Sequence, residues 1–264
     1  MERDGITVRE LAESGVAIAG GTSGVGLASA RRLAEAGVPR LVLMGRDARR
    51  GAAACAAVRA VAPDAAVDYV AVDAGDPAAA ARAVEEATAR LGTLDVLVNS
   101  TVSLAQPSLL VDLALEDLAP TLTDLALPPM LMTRAALPAM RAQRGGCIVN
   151  VASDAAKVAT VGESVIGAAM AAIVMFTRAA AMEAKRDGVR VNVLTPSLIG
   201  DTPAGRRALE SPFGSRIFEK AKAMAHLGVV EADDMAALVL YLASPAAAKL
   251  TGQAISLNGG ISAA

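Results

Sequence analysis

The stretch AGGTSGVG, residues 19–26, decides the fold of this chain. It follows an apolar run at residues 16–19 that predicts a β-strand, and it opens a segment rich in helix formers. Glycine at the first position of such a turn permits tight bending, the second lets the backbone approach a pyrophosphate, and the third lets helix and strand pack closely. A helix N-terminus also offers phosphates free N–H groups and a positive dipole. We therefore expect a nucleotide here, with a plain tight turn as the alternative; the contacting residues would be Gly20, Thr22, Ser23, Gly24, Val25 and Gly26.

Outward from this turn, short apolar runs alternate with alanine-rich segments of helical period. This alternation is typical of a parallel sheet with helices on both faces. Strands are predicted at residues 16–19, 41–44, 67–72, 94–98, 148–152, 190–194 and 254–257. Helices are predicted at residues 28–36, 52–61, 77–91, 112–144 and 168–185. The expected fold class is α/β, a single doubly wound Rossmann domain over residues 1–264 with a seven-stranded parallel sheet.

Near the end of the chain, residues 195–232 form a long interval without a predicted strand. Several prolines and glycines interrupt it: Pro196, Pro203, Gly205, Pro212 and Gly214. An interval of this kind after a strand's carboxyl end often covers a ligand in α/β proteins, so residues 197–232 are predicted to be a substrate lid. An irregular crossover is the alternative. The apolar side chains of the interval suit either a bulky apolar ligand or docking on the body of the protein.

Composition excludes several classes of protein. The 264 residues are 54% apolar, and 25 basic against 27 acidic side chains give a net charge of −2 without a long run of like charge. A disordered chain and a nucleic-acid partner are therefore not expected. Cys55 and Cys147 match neither a disulfide framework nor a metal motif and are predicted to be core residues in a reducing compartment. The first residues lack the pattern of a signal peptide, and the apolar stretch at 164–177 is too short for a bilayer, so the prediction is a cytoplasmic protein without a membrane partner.

The glycine turn resembles the Gly-x-x-x-Gly-x-Gly signature of the short-chain dehydrogenase/reductase family, and the resemblance continues over nearly the whole chain. Gly45-Arg46-Asp47 resembles the version that prefers NADP, in which a guanidinium pairs with the 2′-phosphate. Arg46 as an ordinary surface cation is the alternative. The resemblance implies NADP(H) as the cofactor, with NAD(H), or no nucleotide at a vestigial site, as alternatives. It places five further residues at the cofactor: Asp73, Asn99, Pro196, Ile199 and Thr202.

Beyond Asn99 the resemblance fails locally. Ser100, Thr101 and Val102 stand where the family has Asn-Ala-Gly. Because β-branched residues restrict the backbone, we expect an altered floor of the nicotinamide pocket.

The catalytic positions implied by the resemblance are mostly occupied by apolar residues. The family's reaction uses a serine, a tyrosine, a lysine four residues later, and an asparagine on the preceding long helix. Ser153 falls at the serine position, but Ile166, Met170 and Leu125 stand where tyrosine, lysine and asparagine belong. None of these three side chains has a proton to exchange. The fold is therefore expected to survive while the Tyr/Lys relay does not.

Other polar residues near Ser153 remain candidates in the same register: Thr101, Asp124, Asp154, Lys157 and Glu163. Asp154 and Glu163 could act as acid and base if buried, although solvated loop carboxylates are the expected state. The sole histidine, His226, is expected to be solvated, and Pro128-Pro129 predicts a kink in the long helix.

Three functions are compatible with this sequence. The first is a silent, NADP(H)-binding subunit of a heteromeric dehydrogenase, because the family assembles through helices represented here by residues 112–144 and 164–185. The second is a noncanonical enzyme in which Ser153 and a carboxylate or water support reduction, dehydration, isomerisation or cyclisation of a small apolar substrate. The third is an ordinary NADP-dependent ketone or alcohol oxidoreductase. A homo- or hetero-oligomer is expected in each case.

Overall fold

The computed structural model describes residues 5–103 and 105–264. Its strands are β1 (Gly15–Ala19), β2 (Arg40–Gly45), β3 (Ala66–Ala71), β4 (Val96–Asn99), β5 (Gly146–Val151), β6 (Val189–Pro196) and β7 (Ala254–Leu257). Its helices are α1 (Gly24–Glu35), α2 (Ala48–Arg59), α3 (Pro77–Leu91), α4 (Leu115–Ala142), α5 (Ser164–Ala184), α6 (Pro203–Ala208), α7 (Pro212–Met224) and α8 (Ala232–Ala243). Each predicted strand is present, with ends that differ by at most two residues.

All seven strands form one parallel sheet in the order β3-β2-β1-β4-β5-β6-β7. The direction of strand order reverses between β1 and β4, which leaves a crevice outside the carboxyl ends of these two strands. In open α/β sheets ligands bind at such a switch point. The glycine turn follows β1 and therefore lies at this crevice.

Two hydrophobic cores cover the two faces of the sheet. On one face, Leu33 of α1, Val58 of α2 and Val239 of α8 are fully buried in a common cluster. On the other face, Val84 of α3 and Met132 of α4 pack in a second cluster that includes part of α5. Helices on both faces confirm the predicted doubly wound α/β architecture.

The interval predicted as a lid or an irregular crossover contains two helices, α6 and α7. Thr202 and Ser211 cap them, since each hydroxyl accepts a hydrogen bond from a backbone N–H three residues on. A proline follows each cap at the first helical position, where its missing N–H costs nothing. The cap-and-proline pairs were visible in the sequence; the alternative of an irregular crossover was wrong, and the substrate lid stays a prediction.

Helix α5 is longer than the stretch 164–177 on which the membrane argument rested. It continues to Ala184, because the small side chains after Arg178 keep packing on the sheet. Among the described residues, Ser164–Asp187 is one segment long and apolar enough to cross a membrane, with 39% of its apolar window buried in the protein. The expectation that it was too short was therefore wrong. Its buried face, which includes Ala169, Ile173 and Ala181, covers the sheet.

Both cysteines are free and buried, as predicted for core residues. Burial raises the pKa of the Cys55 thiol and that of Cys147.

Candidate functional site

The glycine turn lies against the loop that follows β4. A Cβ atom at Gly20 would lie 2.6 Å from the Ser100 carbonyl oxygen, and φ at Gly20 is +78°. A Cβ atom at Gly26 would lie 2.3 Å from the Gly20 oxygen and 2.5 Å from Ser100 Oγ. Ser100 Oγ donates a hydrogen bond to the Ala19 oxygen at 3.1 Å. Side chains at these two glycines would push β1, α1 and β4 apart, so the turn keeps a bare backbone at the crevice.

The interval predicted as a lid begins next to this turn. Gly24, with φ +51°, starts α1, and a Cβ atom there would lie 3.4 Å from the Thr202 methyl group. Thr202 is buried and caps α6. Pro196 ends β6 and is buried, while Ile199 forms an isolated parallel bridge with Val230. The structure thus brings the predicted turn residues and the predicted lid residues onto one crevice.

Basic side chains border the outer end of the crevice. Arg46 is exposed just after β2, and Arg50 Nη2 donates to Ser23 Oγ at 3.0 Å across the groove. Asp47 caps α2, and the backbone N–H of Arg50 is the main cause that lowers the pKa of its carboxyl. Sequence analysis missed Arg50, because its contact with Ser23 joins two elements that lie far apart in the sequence.

Asp73 and Asn99 sit at the ends of their strands in different surroundings. Asp73 is exposed, and its Oδ1 accepts from the Gly75 N–H at 3.0 Å. Asn99 is buried and donates from Nδ2 to Asn150 Oδ1 at 2.8 Å and to Thr133 Oγ1 at 3.2 Å, while Asn150 donates to Thr177. This network joins β4, β5, α4 and α5 beneath the crevice and was not predicted. Asn99 Oδ1 is buried without a hydrogen-bond partner among the described residues.

The three positions occupied by apolar residues in the catalytic register come together in space. Leu125, Ile166 and Met170 belong to one hydrophobic cluster, and Met170 is 8% exposed. The buried members of this cluster are all apolar: Ala126, Ala152, Ala169, Met170, Ile173, Val174 and Val193. Within the part of the chain that the structure describes, this cluster therefore offers neither a proton donor nor a cation.

Ser153 lies half-buried at the end of β5, beside this cluster. Its Oγ accepts from the Ala155 N–H at 3.2 Å and caps a short 3-10 turn. No described residue accepts its hydroxyl proton, so the hydroxyl can still donate to a ligand.

Asp154 and Lys157 are not solvated loop residues. Asp154 is 5% exposed and accepts hydrogen bonds from Asn258 at 3.2 Å and from Ser262. Lys157 Nζ lies 3.7 Å from Asp154 Oδ1 and donates to Ser256. The expectation of a solvated Asp154 was wrong because the carboxylate anchors the segment after β7. Both side chains are thereby occupied away from the apolar cluster.

Glu163 is also more buried than expected. It is the residue before α5, and burial raises the pKa of its carboxyl. By helical spacing, residues 163, 166 and 170 share one face. Phe213 and Ile217 of α7 lie over the neighbouring Gly162, since a Cβ atom there would be 2.3 Å from Phe213. A partly buried carboxyl thus lies three residues before Ile166, next to a glycine that packs against α7.

A cavity of 260 Å³ opens on Ile166 from the side of α4. Asp117, Thr121 and Asp124 line it together with residues of the loop after β4.

Asp124 is exposed, Thr101 is half-buried and His226 is exposed, which confirms the expected solvation of the histidine. Helix α4 is continuous through Pro128 and Pro129.

Comparisons with known proteins agree with this architecture. A family model described as enoyl-(acyl carrier protein) reductase matches residues 19–262. Momilactone A synthase of Oryza sativa is 32% identical over 257 residues, covering 96% of this chain and 92% of the relative. The 3-oxoacyl-[acyl-carrier-protein] reductase of Bos taurus is 32% identical over 248 residues, covering 93% and 96%. An NADPH-bound short-chain oxidoreductase from Pseudomonas aeruginosa, described as containing an atypical catalytic center, superposes with a TM-score of 0.88 at 28% identity, covering 97% and 99%.

The fold and the glycine turn define a nucleotide-binding Rossmann protein, and the matches specify it further. The chain belongs to the short-chain dehydrogenase/reductase family.

Proposed function

We propose that this protein binds NADP(H) and acts as a silent subunit of a heteromeric dehydrogenase. The observation that carries the proposal is the apolar cluster of Leu125, Ile166 and Met170, which fills the place of the family's proton relay. A hydride transfer to a carbonyl needs a proton for the developing alkoxide, and these side chains supply none. The chain therefore contributes binding rather than the chemical step.

The residues present fit an NADP(H) cofactor. Gly20 and Gly26 keep the backbone bare at the switch point, and Gly24 opens the helix whose N-terminus would hold the pyrophosphate. Arg46 and Arg50 stand where a 2′-phosphate would be bound by guanidinium groups. When bound, NADP(H) would supply the hydride equivalent, and this chain's residues would hold and orient it.

The exposed side of α5 supports assembly with another subunit. Met175 and Met182 are each 61% exposed, and exposed alanines lie along the same side of the helix: Ala168, Ala171, Ala172 and Ala179. Arg178 also lies on this side, so the exposed face is mostly apolar with one cation, a composition typical of an association surface. We propose that a second chain of the same fold covers it, either a copy or a homologue that carries the Tyr-x-x-x-Lys pair.

Mass measurement of the purified protein and of two variants tests this assembly. Met175→Glu with Met182→Glu should convert the oligomer to monomer in sedimentation analysis. Leu227→Glu is the matched control, because Leu227 is 87% exposed and lies outside α5. A monomeric wild-type protein, whether purified alone or with a co-expressed homologue, would contradict the assembly.

The silent role is tested separately by turnover. The isolated protein should bind NADPH without oxidising it in the presence of a panel of ketones, and a co-purified active homologue should do so. Turnover by the isolated chain would instead support the second candidate function.

That second candidate is a noncanonical enzyme, favoured by the carboxyl of Glu163. This carboxyl precedes Ile166 by three residues at the start of α5, and burial raises its pKa, which favours the protonated form that a proton donor needs. Ser153 would orient the substrate through its free hydroxyl proton. In this case Ser153→Ala and Glu163→Gln should each lower turnover about 10²-fold or more while NADPH binding is unchanged. An ordinary Tyr/Lys oxidoreductase has no residue in the cluster to support it.

A further inference from the structure

A cavity of 220 Å³ lies at the edge of the sheet opposite the glycine turn, where the strands begin. Residues that precede β1 cover it, and the carboxyl ends of α5 and α8 border it. Four cationic side chains line this cavity, and they are Arg9, Lys185, Arg190 and Lys249. Asp95 provides the one carboxylate of the lining.

Most of this positive charge has no acidic partner. Arg9 Nε lies 2.9 Å from Asp95 Oδ1, and Asp95 also accepts from the Gly15 N–H. In the described ranges, no carboxylate lies within ion-pair distance of the other three cations. The contact recorded for Lys185 Nζ is the Met182 sulfur at 3.8 Å.

Arg190 is held in place with one nitrogen unused. Its Nη2 donates to the Leu242 oxygen at 2.7 Å, which fixes the guanidinium at the end of α8. Its Nη1 is buried and has no hydrogen-bond partner among the described residues. The guanidinium of Arg190 is therefore a fixed positive charge in the wall of the cavity.

The positive charge of the four side chains exceeds the negative charge around the cavity. The carboxyl end of a helix carries roughly half a negative charge, so α5 and α8 together offset about one cation. Asp95 offsets another. About two positive charges therefore remain to attract an anion into the cavity.

We propose that this cavity binds a compact phosphate-bearing anion, either inorganic phosphate or the phosphate group of a small monoester. Arg190 would attract the phosphate as a fixed positive charge in the cavity wall, and Lys185 and Lys249 would bind it from the mouth. The cavity volume of 220 Å³ admits a phosphate group with a few further atoms. This site is separate from the cofactor crevice at the opposite edge of the sheet.

Calorimetric titration with inorganic phosphate and with glycerol phosphate tests the proposal. All proteins should carry Arg46→Ala and Arg50→Ala, which remove the cations of the cofactor crevice. In that background, binding should persist, and Lys185→Ala with Lys249→Ala should weaken it about fivefold, as loss of two partly screened charges predicts.

Lys220→Ala with Lys222→Ala removes the same charge from the exposed surface of α7 and is the matched control. It should leave the affinity unchanged. If glycerol phosphate binds more tightly than inorganic phosphate, the ligand is a phosphate monoester. If inorganic phosphate binds more tightly, the ligand is the free anion. The proposal is overturned if neither probe binds in the Arg46/Arg50 background, or if the two lysine pairs weaken binding equally.

Discussion

Met170→Lys restores the residue type that the family uses at this position, yet we expect it to destabilise the protein. Met170 is 8% exposed, and its neighbours Leu125, Ile166 and Ile173 are apolar. A charge buried without a partner costs about 3–5 kcal/mol, a large part of a typical stability of about 5–15 kcal/mol. The melting temperature should fall by roughly 10 °C.

The loss should depend on pH in a defined direction. Burial lowers the pKa of a lysine from its ordinary value of about 10.4, so the unfolded state holds a proton that the folded state releases. Stability then rises with pH wherever the unfolded state binds more protons. The deficit of the variant should therefore shrink by about 1.4 kcal/mol per pH unit as the pH approaches 10.4.

Urea denaturation at pH 7 and pH 9.5 measures both effects. Met224→Lys is the control, because Met224 is 43% exposed at the end of α7 and the same substitution there should change stability by less than about 0.5 kcal/mol. If Met170→Lys cost no more than the control and showed no pH dependence, the position would open to solvent or to an acidic partner. The account of an apolar relay site would then be refuted.

Three further predictions concern the crevice. Arg50→Ala should weaken NADPH binding about tenfold and leave NADH binding unchanged in calorimetry, because it removes a charge-assisted contact to the 2′-phosphate. Gly26→Ala should lower the free energy of unfolding by about 2 kcal/mol in urea, since its Cβ would lie 2.3 Å from a backbone oxygen, whereas Gly75→Ala, at 3.4 Å from a side chain, should not. Burial raises the pKa of the Glu163 carboxyl, so stability should fall as the pH rises above about 4.5, where the unfolded state loses this proton before the folded state does. Glu163→Gln should remove this fall in stability, and Glu219→Gln should leave it in place.

Each of these expectations has a contradicting result. Equal losses for NADPH and NADH would place Arg50 away from the 2′-phosphate. Similar stabilities of the two glycine variants would mean that the turn can relax, and an unchanged melting profile over pH 4.5–8 in Glu163→Gln would mean that the carboxyl is solvated.

The sequence predicted the sheet and the glycine turn because both depend on local patterns. Apolar runs of four to eight residues and a Gly-rich turn between strand and helix are readable without tertiary contacts. The buried state of Asp154 was not readable in this way. Its partners Asn258 and Ser262 lie more than 100 positions away. The Arg50 to Ser23 contact was likewise missed because it joins separate elements across the crevice.

The length of the apolar segment in α5 was misjudged for a different reason. Arg178 was taken as the end of an apolar run, but it lies on the exposed side of a helix whose buried side continues through Ala180, Ala181 and Ala184. The apolar side of such a helix is recognised from its helical period rather than from an uninterrupted run of apolar residues.

The central claim is that the cofactor crevice is retained although the relay position is apolar. Calorimetric titration of the purified protein with NADPH, NADP⁺, NADH and NAD⁺ tests it most directly. The account predicts binding of NADPH and NADP⁺, with weaker or no binding of NADH and NAD⁺. If none of the four nucleotides binds, the crevice is vestigial too, and the claim is wrong.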